Sequence, residues 1–209
     1  PTEKQLCKAY DISRATVRQA LNELENEDYI YKVQGKGTFV SPVKFQQELL
    51  DFYSFTNEMK KIGKKPRSKV LDFKITTVDQ ENILSILDIN NNEKLYEFLR
   101  LRLADDEPMM IETTYIPHKY FPGINKEKLE KKPLYDILTN DFEVIFSKAE
   151  EIFKATLTTE KEAKQLNFIN GGPAFMLERI TYNKEGCPIE YTKSIARGDK
   201  FKYHVELEK

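Results

Sequence analysis

The chain has 209 residues, of which 40% are hydrophobic, 11% aromatic and 32% charged, the composition of a folded chain with one large or two small domains. No apolar run approaches the ~20 residues that span a bilayer and no signal-peptide core is visible, so a cytoplasmic protein without a membrane partner is expected. With only two cysteines, Cys7 and Cys187, and two histidines, His118 and His204, neither a disulfide framework nor a Cys/His metal site is expected, and no cofactor is implied.

Residues 2–10 have the spacing of a short helix with Leu6, Ala9 and Tyr10 inward, and Asp11-Ile12 supply a tight turn. Ser13 then stands as the cap of a second helix. Val17, Ala20, Leu21 and Leu24 share one apolar arc of it, while Arg14, Arg18, Gln19 and Asn22 project on the other side. Tyr29 to Val33 alternates as a strand, and Gly35-Lys36-Gly37 pivots into a return strand with Lys36 at the tip. Two helices followed at once by a glycine-pivoted hairpin have the layout of a winged helix-turn-helix reader of double-stranded DNA. The net charge of −1 argues against a general affinity for phosphate, and residues 1–44 carry seven basic against six acidic side chains. Placement matters more: the acids crowd the far end of the second helix, whereas Lys4, Arg14, Arg18 and Lys36 gather at its start and at the wing.

Ser41-Pro42-Val43-Lys44 breaks the wing strand, because proline cannot continue a ladder, and marks the boundary: a reader over residues 1–42, a linker over 43–48, and a second domain over 49–209. Beyond it, Phe45 to Gly63 has helical spacing through Leu49, Leu50, Phe52, Phe55 and Met59. Val70 to Thr76 is expected as a strand, Asp79 to Leu87 as a helix and Leu95 to Leu103 as a strand. In the last of these Leu99, Leu101 and Leu103 share one face, and Phe98, Arg100 and Arg102 the other, which puts two guanidinium groups about 7 Å apart. Periodicity alone favours an ordinary solvated face, each arginine balanced by a glutamate across the strand; the sharper reading is an anion clamp, since guanidinium forks match phosphate or carboxylate oxygens. Met109 to Ile116 returns with Glu112, and the pattern recurs: Phe175 to Tyr182, a turn ending in Pro188, then Ile189 to Ala196 with Glu190. A weak duplication with a pocket between its halves would follow. Helices are expected near Leu134 to Asn140 and Thr159 to Leu166, the latter capped by Thr158 or Thr159 with Glu162.

Pro1-Thr2-Glu3-Lys4-Gln5-Leu6, Ser13 through Leu21, and Gln34-Gly35-Lys36-Gly37-Thr38-Phe39-Val40 closely resemble the DNA-binding domain of GntR-family bacterial transcription regulators. The resemblance implies that the family's first helix would precede Pro1. It also implies base or phosphate contacts from Arg14 and Arg18, phosphate or methyl contacts from Ser13 and Thr16, and a minor-groove reach by Gly35-Lys36, with Lys4 and Gln34 beside them. The remainder, on Ser54-Phe55-Thr56, Arg100-Leu101-Arg102, Asp106-Glu107-Pro108-Met109, Glu112, Pro188-Ile189-Glu190-Tyr191 and Arg197-Gly198-Asp199-Lys200-Phe201, resembles the UTRA effector domain of the HutC subfamily. That implies an α+β protein: the reader followed by a chorismate-lyase-like, six-stranded antiparallel sheet with flanking helices. Carried over, Thr56, Arg100 and Arg102 would hold the anionic group of a small metabolite with Tyr135 on the phosphate side, Glu112 and Glu190 would bind its hydroxyls or amines, and Ser54 and Phe55 would also be effector-binding residues. Pro133 and Ala196 depart from relatives that bind amino-sugar phosphates, which carry serine and tyrosine there, so the effector cannot be named.

The expected protein is a homodimeric repressor whose hold on an operator answers to a small anionic metabolite. An enzyme of chorismate-lyase-like fold is the alternative from another class; against it, G-x-S-x-G and H-E-x-x-H are absent, and Gly35-Lys36-Gly37-Thr38 lacks phosphate-loop spacing. A DNA-binding regulator whose second domain only dimerises is the other alternative. Arginines 100 and 102 left unpaired in a concavity would favour a ligand, and the same pair closed by Glu112 or Glu178 would favour plain packing.

Overall fold

The computed structural model describes residues 1–27, 29–40, 45–48, 54–77 and 81–205, with 45–48 described by backbone alone. Its contacts divide the chain into two units, Pro1–Lys44 and Phe45–Lys209.

In the first unit α1 (Glu3–Tyr10) opens on a capping box: the Gln5 amide N–H donates to Thr2 Oγ1, and the Thr2 N–H to Gln5 Oε1. Asp11, at φ 52°, ends it. Ser13 caps α2 (Arg14–Asn26) by accepting from the Thr16 N–H at 3.1 Å. Strands β1 (Ile30–Val33) and β2 (Gly37–Val40) form the antiparallel wing. The Lys36 N–H donates to the Val33 carbonyl across a turn whose third residue, Gly35, sits at φ 76°, where a side chain would be strained. The expected inward arcs are mostly open. Val17 is buried, but Tyr10 is 71% and Leu24 39% exposed, Ala9 and Ala20 are exposed, and Leu6 and Leu21 are half-buried. A unit of about forty residues has too little mass to enclose an arc on two helices.

The second unit departs first at its start. Instead of one helix from Phe45 to Gly63, residues Phe45–Glu48 form β3, which pairs in parallel with β10 (Phe201–His204). The helix proper, α3, runs only over Phe55–Lys61, with Ser54 as its cap. A partner strand more than 150 residues away supplies ladder hydrogen bonds that local periodicity does not register. Four residues of the expected linker are therefore strand; the connector at Ser41 to Lys44, and Leu49, Leu50 and Phe52, lie outside the described residues.

A six-stranded, wholly antiparallel sheet follows, in the order β4-β5-β6-β9-β8-β7, from β4 (Pro66–Thr77), β5 (Lys94–Ala104), β6 (Glu107–Pro117), β7 (Phe146–Leu157), β8 (Pro173–Asn183) and β9 (Pro188–Arg197). Helix α4 (Glu81–Leu87) joins β4 to β5, and α7 (Glu160–Leu166) joins β7 to β8, so the chain repeats strand–helix–strand–strand about an axis between β6 and β9. At that axis Thr114 pairs with Thr192, their hydroxyls 2.9 Å apart. On one face Leu84 and Leu87 of α4 pack with Tyr115 and Tyr191, and Leu166 of α7 packs with Leu101 and Ile111. On the other, Leu129 of α5 (Lys126–Lys131) and Leu134, Ile137 and Leu138 of α6 (Leu134–Phe142) cover Tyr96, Phe98 and Ile116, while Met59 of α3 lies with Met110, Leu177 and Ala196. Strand β7 and helix α5 were not anticipated from sequence: β7 alternates half-buried and exposed residues at the sheet edge, and α5 is one lysine- and glutamate-rich stretch with Leu129 alone buried. Thr159 forms the capping box of α7 with Glu162, whereas the buried Thr158 hydroxyl donates to the Ile169 carbonyl.

Candidate functional site

The DNA-facing candidates of the first unit lie at its surface. Arg14 and Arg18 are adjacent turns of α2, 71% and 60% exposed, and both reach the Glu3 carboxylate of α1, at 3.0 and 3.2 Å. The hydrogen bond from Arg14, joined by Arg18, holds the Glu3 carboxyl below the usual carboxylate range. Glu3 thus keeps the two guanidinium groups together on the outer face of α2, where a polyanion could replace it. Ser13 and Thr16 close the start of α2 with hydroxyls 2.9 Å apart, Gln34, Gly35 and Lys36 form the wing tip, and Lys4 stays exposed on α1.

In the second unit every one of the eight effector candidates, Ser54, Phe55, Thr56, Arg100, Arg102, Glu112, Tyr135 and Glu190, lines a single cavity of about 70 Å³. The N-terminal ends of α3 and α6 form its rim, and β5, β6, β9 and β8 its floor. Antiparallel register explains the floor: Arg100 stands opposite Glu112, Glu112 opposite Ser194, and Glu190 opposite Thr181.

Arg100 and Arg102 are not on a solvated face. Both are buried, with Arg100 Cζ 5.1 Å from the centroid of the Phe98 ring and Arg102 Cζ 4.8 Å from that of the Phe55 ring. Both end on one oxygen: Glu112 Oε2 accepts a hydrogen bond from Arg102 Nη1 at 3.1 Å and forms an ion pair with Arg100 Nη2 at 2.9 Å. Arg102 Nη2 also donates to Thr56 Oγ1 at 2.9 Å, and Arg100 Nη2 to Thr114 Oγ1 at 3.3 Å. Nε of each arginine is buried with no hydrogen-bond partner among the described residues. Burial drives the Arg102 guanidinium below its usual value, Glu112 opposes this and Arg100 adds to it. Burial raises the Glu112 carboxyl, but Arg102 and Arg100 outweigh it and leave it below its ordinary range, ionised. The pair is therefore not left unpaired: Glu112 closes it, the arrangement expected of plain packing, although the same pair lines a concavity. Glu178 takes no part, being held by Lys154, Lys193 and the Tyr191 hydroxyl.

The opposite end carries negative charge. Glu190 accepts three hydroxyls, from Tyr135 and Thr181 on Oε2 and Thr192 on Oε1, each at 2.8 Å. Burial, with Glu190, raises the Tyr135 phenol, so it remains a neutral donor to Glu190 while accepting from Arg179 Nη1 at 3.1 Å. Arg179 also pairs with Glu151 at 2.6 Å. Hydrogen bonds, with the Arg100–Glu112 ion pair as one link, then run from Thr56 through Arg102, Glu112, Arg100, Thr114, Thr192, Glu190 and Tyr135 to Arg179 and Glu151. Sequence reasoning did not name Arg179, Glu151, Thr192 or Ser194 as site residues. Arg179 was visible as the arginine of the second hairpin; Glu151 was hidden because its strand was. Pro133 stands at the N-terminus of α6 and gives it no side-chain cap, and Ala196 is packed under Met110 and Phe201.

Among the described residues no group of His, Cys, Asp and Glu is placed to hold a metal ion, and no helix is long and apolar enough to cross a membrane. Cys7 and Cys187 are free thiols.

The profile of bacterial regulatory proteins of the gntR family matches residues 1–40, and that of the UTRA domain matches residues 61–202. Over 203 residues the chain is 34% identical to the HTH-type transcriptional repressor NagR of Bacillus subtilis (strain 168), covering 97% of this chain and 83% of that protein. It is 28% identical over 209 residues to the "probable fructoselysine utilization operon transcriptional repressor" of Escherichia coli (strain K12), covering 99% and 84%. The crystal structure of PhnF from Mycobacterium smegmatis superposes with a TM-score of 0.77 at 24% identity, over 100% of this chain and 91% of that one, which extends the likeness to the fold.

Proposed function

Because this chain belongs to the GntR family of bacterial regulators, with a GntR reader joined to a UTRA domain as in the HutC subfamily, it is a DNA-binding transcriptional regulator and not an enzyme, and we propose that it is a repressor released by a small anionic metabolite bound at Arg100 and Arg102. One observation carries the metabolite: two buried guanidinium groups share a single carboxylate oxygen and keep Nε–H groups without a partner. A buried cation in excess of its counter-charge is costly, and a fold that needed only packing would do as well with apolar side chains. An oxyanion of phosphate or carboxylate type would supply the missing charge and acceptors. Glu190, within its ring of hydroxyls, would take hydroxyl or ammonium groups on the organic part.

Two protomers would present two copies of α2 to successive major grooves, with Arg14, Arg18, Thr16 and Ser13 on bases and phosphates and Gly35-Lys36 in the minor groove. An effector that inserts between the arginines and Thr56 and Phe55 of α3, and so replaces their present contacts, would move the segment that follows the connector, and with it the half-site spacing. DNA must then weaken the effector by the same factor as the effector weakens DNA. The test is a panel of sugar phosphates and small organic acids, followed by melting temperature and by release from an operator selected out of random duplexes. A hit should raise the melting temperature and release DNA; Arg100→Gln should bind DNA normally and no longer respond. Loss of DNA binding in Arg100→Gln, or no response to any acidic metabolite, overturns the proposal.

A further inference from the structure

The arginine cavity is small. Its roughly 70 Å³ accommodates a few waters or one oxyanion, against the roughly 300–1,000 Å³ of most organic-ligand sites. Beside it opens a cleft of about 420 Å³, between α3, the start of β4 and the end of α5, and the two share Thr56 and Pro133 in their walls. Here the chemistry changes: the cleft is lined by Lys60, Lys64, Lys65, Arg67, Lys131 and Lys132 against one carboxylate, Glu130, in a chain whose net charge is −1. Arg67 and Lys64 lean on the exposed Asp106 and Asp105 at 3.0 and 3.5 Å, and Lys132 is 3.8 Å from Asp141, long for an ion pair. Lys60 and Lys65 have no ion-pair partner among the described residues. Concave walls that carry one sign of charge concentrate their field in the gap, so this cleft favours anions more than the same lysines would on a flat surface.

We propose that the effector is an elongated molecule with two acidic groups, the first held between Arg100 and Arg102 and the second, a phosphate or carboxylate, held in the adjoining cleft by Lys60, Lys65 and Lys132. This rests on the anion reading of the arginine cavity and adds to it a place for the rest of the molecule, which that cavity is too small to hold.

The test uses the full chain and three probes: inorganic phosphate, glucose 6-phosphate and glucose 1,6-bisphosphate, titrated calorimetrically at low and at moderate salt. The bisphosphate should bind about tenfold more tightly than the monophosphate at low salt, with the advantage shrinking as salt rises. Lys60→Gln/Lys65→Gln/Lys132→Gln, which alters only exposed side chains, should erase that advantage and leave the monophosphate affinity unchanged. A bisphosphate that binds no tighter than the monophosphate or phosphate itself, or a triple variant that weakens both sugars equally, overturns the second subsite and leaves the arginine cavity standing. Failure of all three probes to bind removes the arginine cavity as an anion site, and the second subsite with it.

Discussion

Replacing Glu112 with glutamine keeps the shape of the side chain and an acceptor oxygen but removes the one charge that faces Arg100 and Arg102. With Arg100 at 2.9 Å and Arg102 at 3.1 Å from the same oxygen, all three buried, the variant would hold two guanidinium groups with no counter-ion between them. Removing one partner of a buried ion pair costs about 3–5 kcal/mol, a large part of the 5–15 kcal/mol that holds a typical domain folded. For a unit of this size that corresponds to a fall in melting temperature of about 6–20 °C, read by calorimetry on the full chain. An anion that enters the cluster should restore much of the loss: at a hundred times its dissociation constant, phosphate would return about 2.7 kcal/mol. The pH dependence follows the same carboxylate. Its folded-state value lies below the ordinary 4.5, so its contribution to stability is complete above that value and is lost as pH falls through the depressed one; the glutamine variant should lack this acid-side loss. A destabilisation under about 1 kcal/mol, or one that phosphate does not relieve, would refute the claim that these arginines are an under-neutralised anion receptor.

Arg18→Ala should weaken binding to a selected operator by about 1–3 kcal/mol in fluorescence anisotropy, and an unchanged affinity would remove Arg18 from the reading face. Glu3→Gln should raise affinity for duplexes of any sequence, since the carboxylate that now occupies Arg14 and Arg18 also repels phosphate; an unaltered affinity would show that Glu3 does not compete with DNA. Tyr135→Phe removes the phenol that donates to Glu190 and accepts from Arg179, and should cost about 1–3 kcal/mol of stability by leaving buried partners unmet, while sparing DNA binding. A variant as stable as the parent would mean that Thr181 and Thr192 satisfy Glu190 alone.

The reader was legible in the sequence because its information is local. Ser13 caps α2, Gly35 takes the positive φ of its turn, and Arg14 and Arg18 fall one turn apart, whatever the rest of the chain does. Strands β5, β6, β8 and β9 were legible for the same reason, since alternation along a strand assigns Arg100, Arg102, Glu112 and Glu190 to faces before any partner is known. Which face is buried is another matter: periodicity allowed a solvated arginine pair, and only α3 and α6 laid across the sheet made it a cavity. Local periodicity reads β3 as helix because its hydrogen bonds come from β10, and it gives no sign of Glu151, which lies in an edge strand that alternates half-buried and exposed residues. The joining of Arg100, Glu112, Glu190 and Arg179 into one line of hydrogen bonds and ion pairs depends on register between strands far apart in sequence, with Thr56 and Tyr135 brought in by α3 and α6. Side-chain type and spacing set what each element could bind; the sheet order decided that charges of opposite sign, scattered from Arg100 to Glu190, would meet, and α3 and α6 laid over them made the meeting place one where each matters more than it would in water.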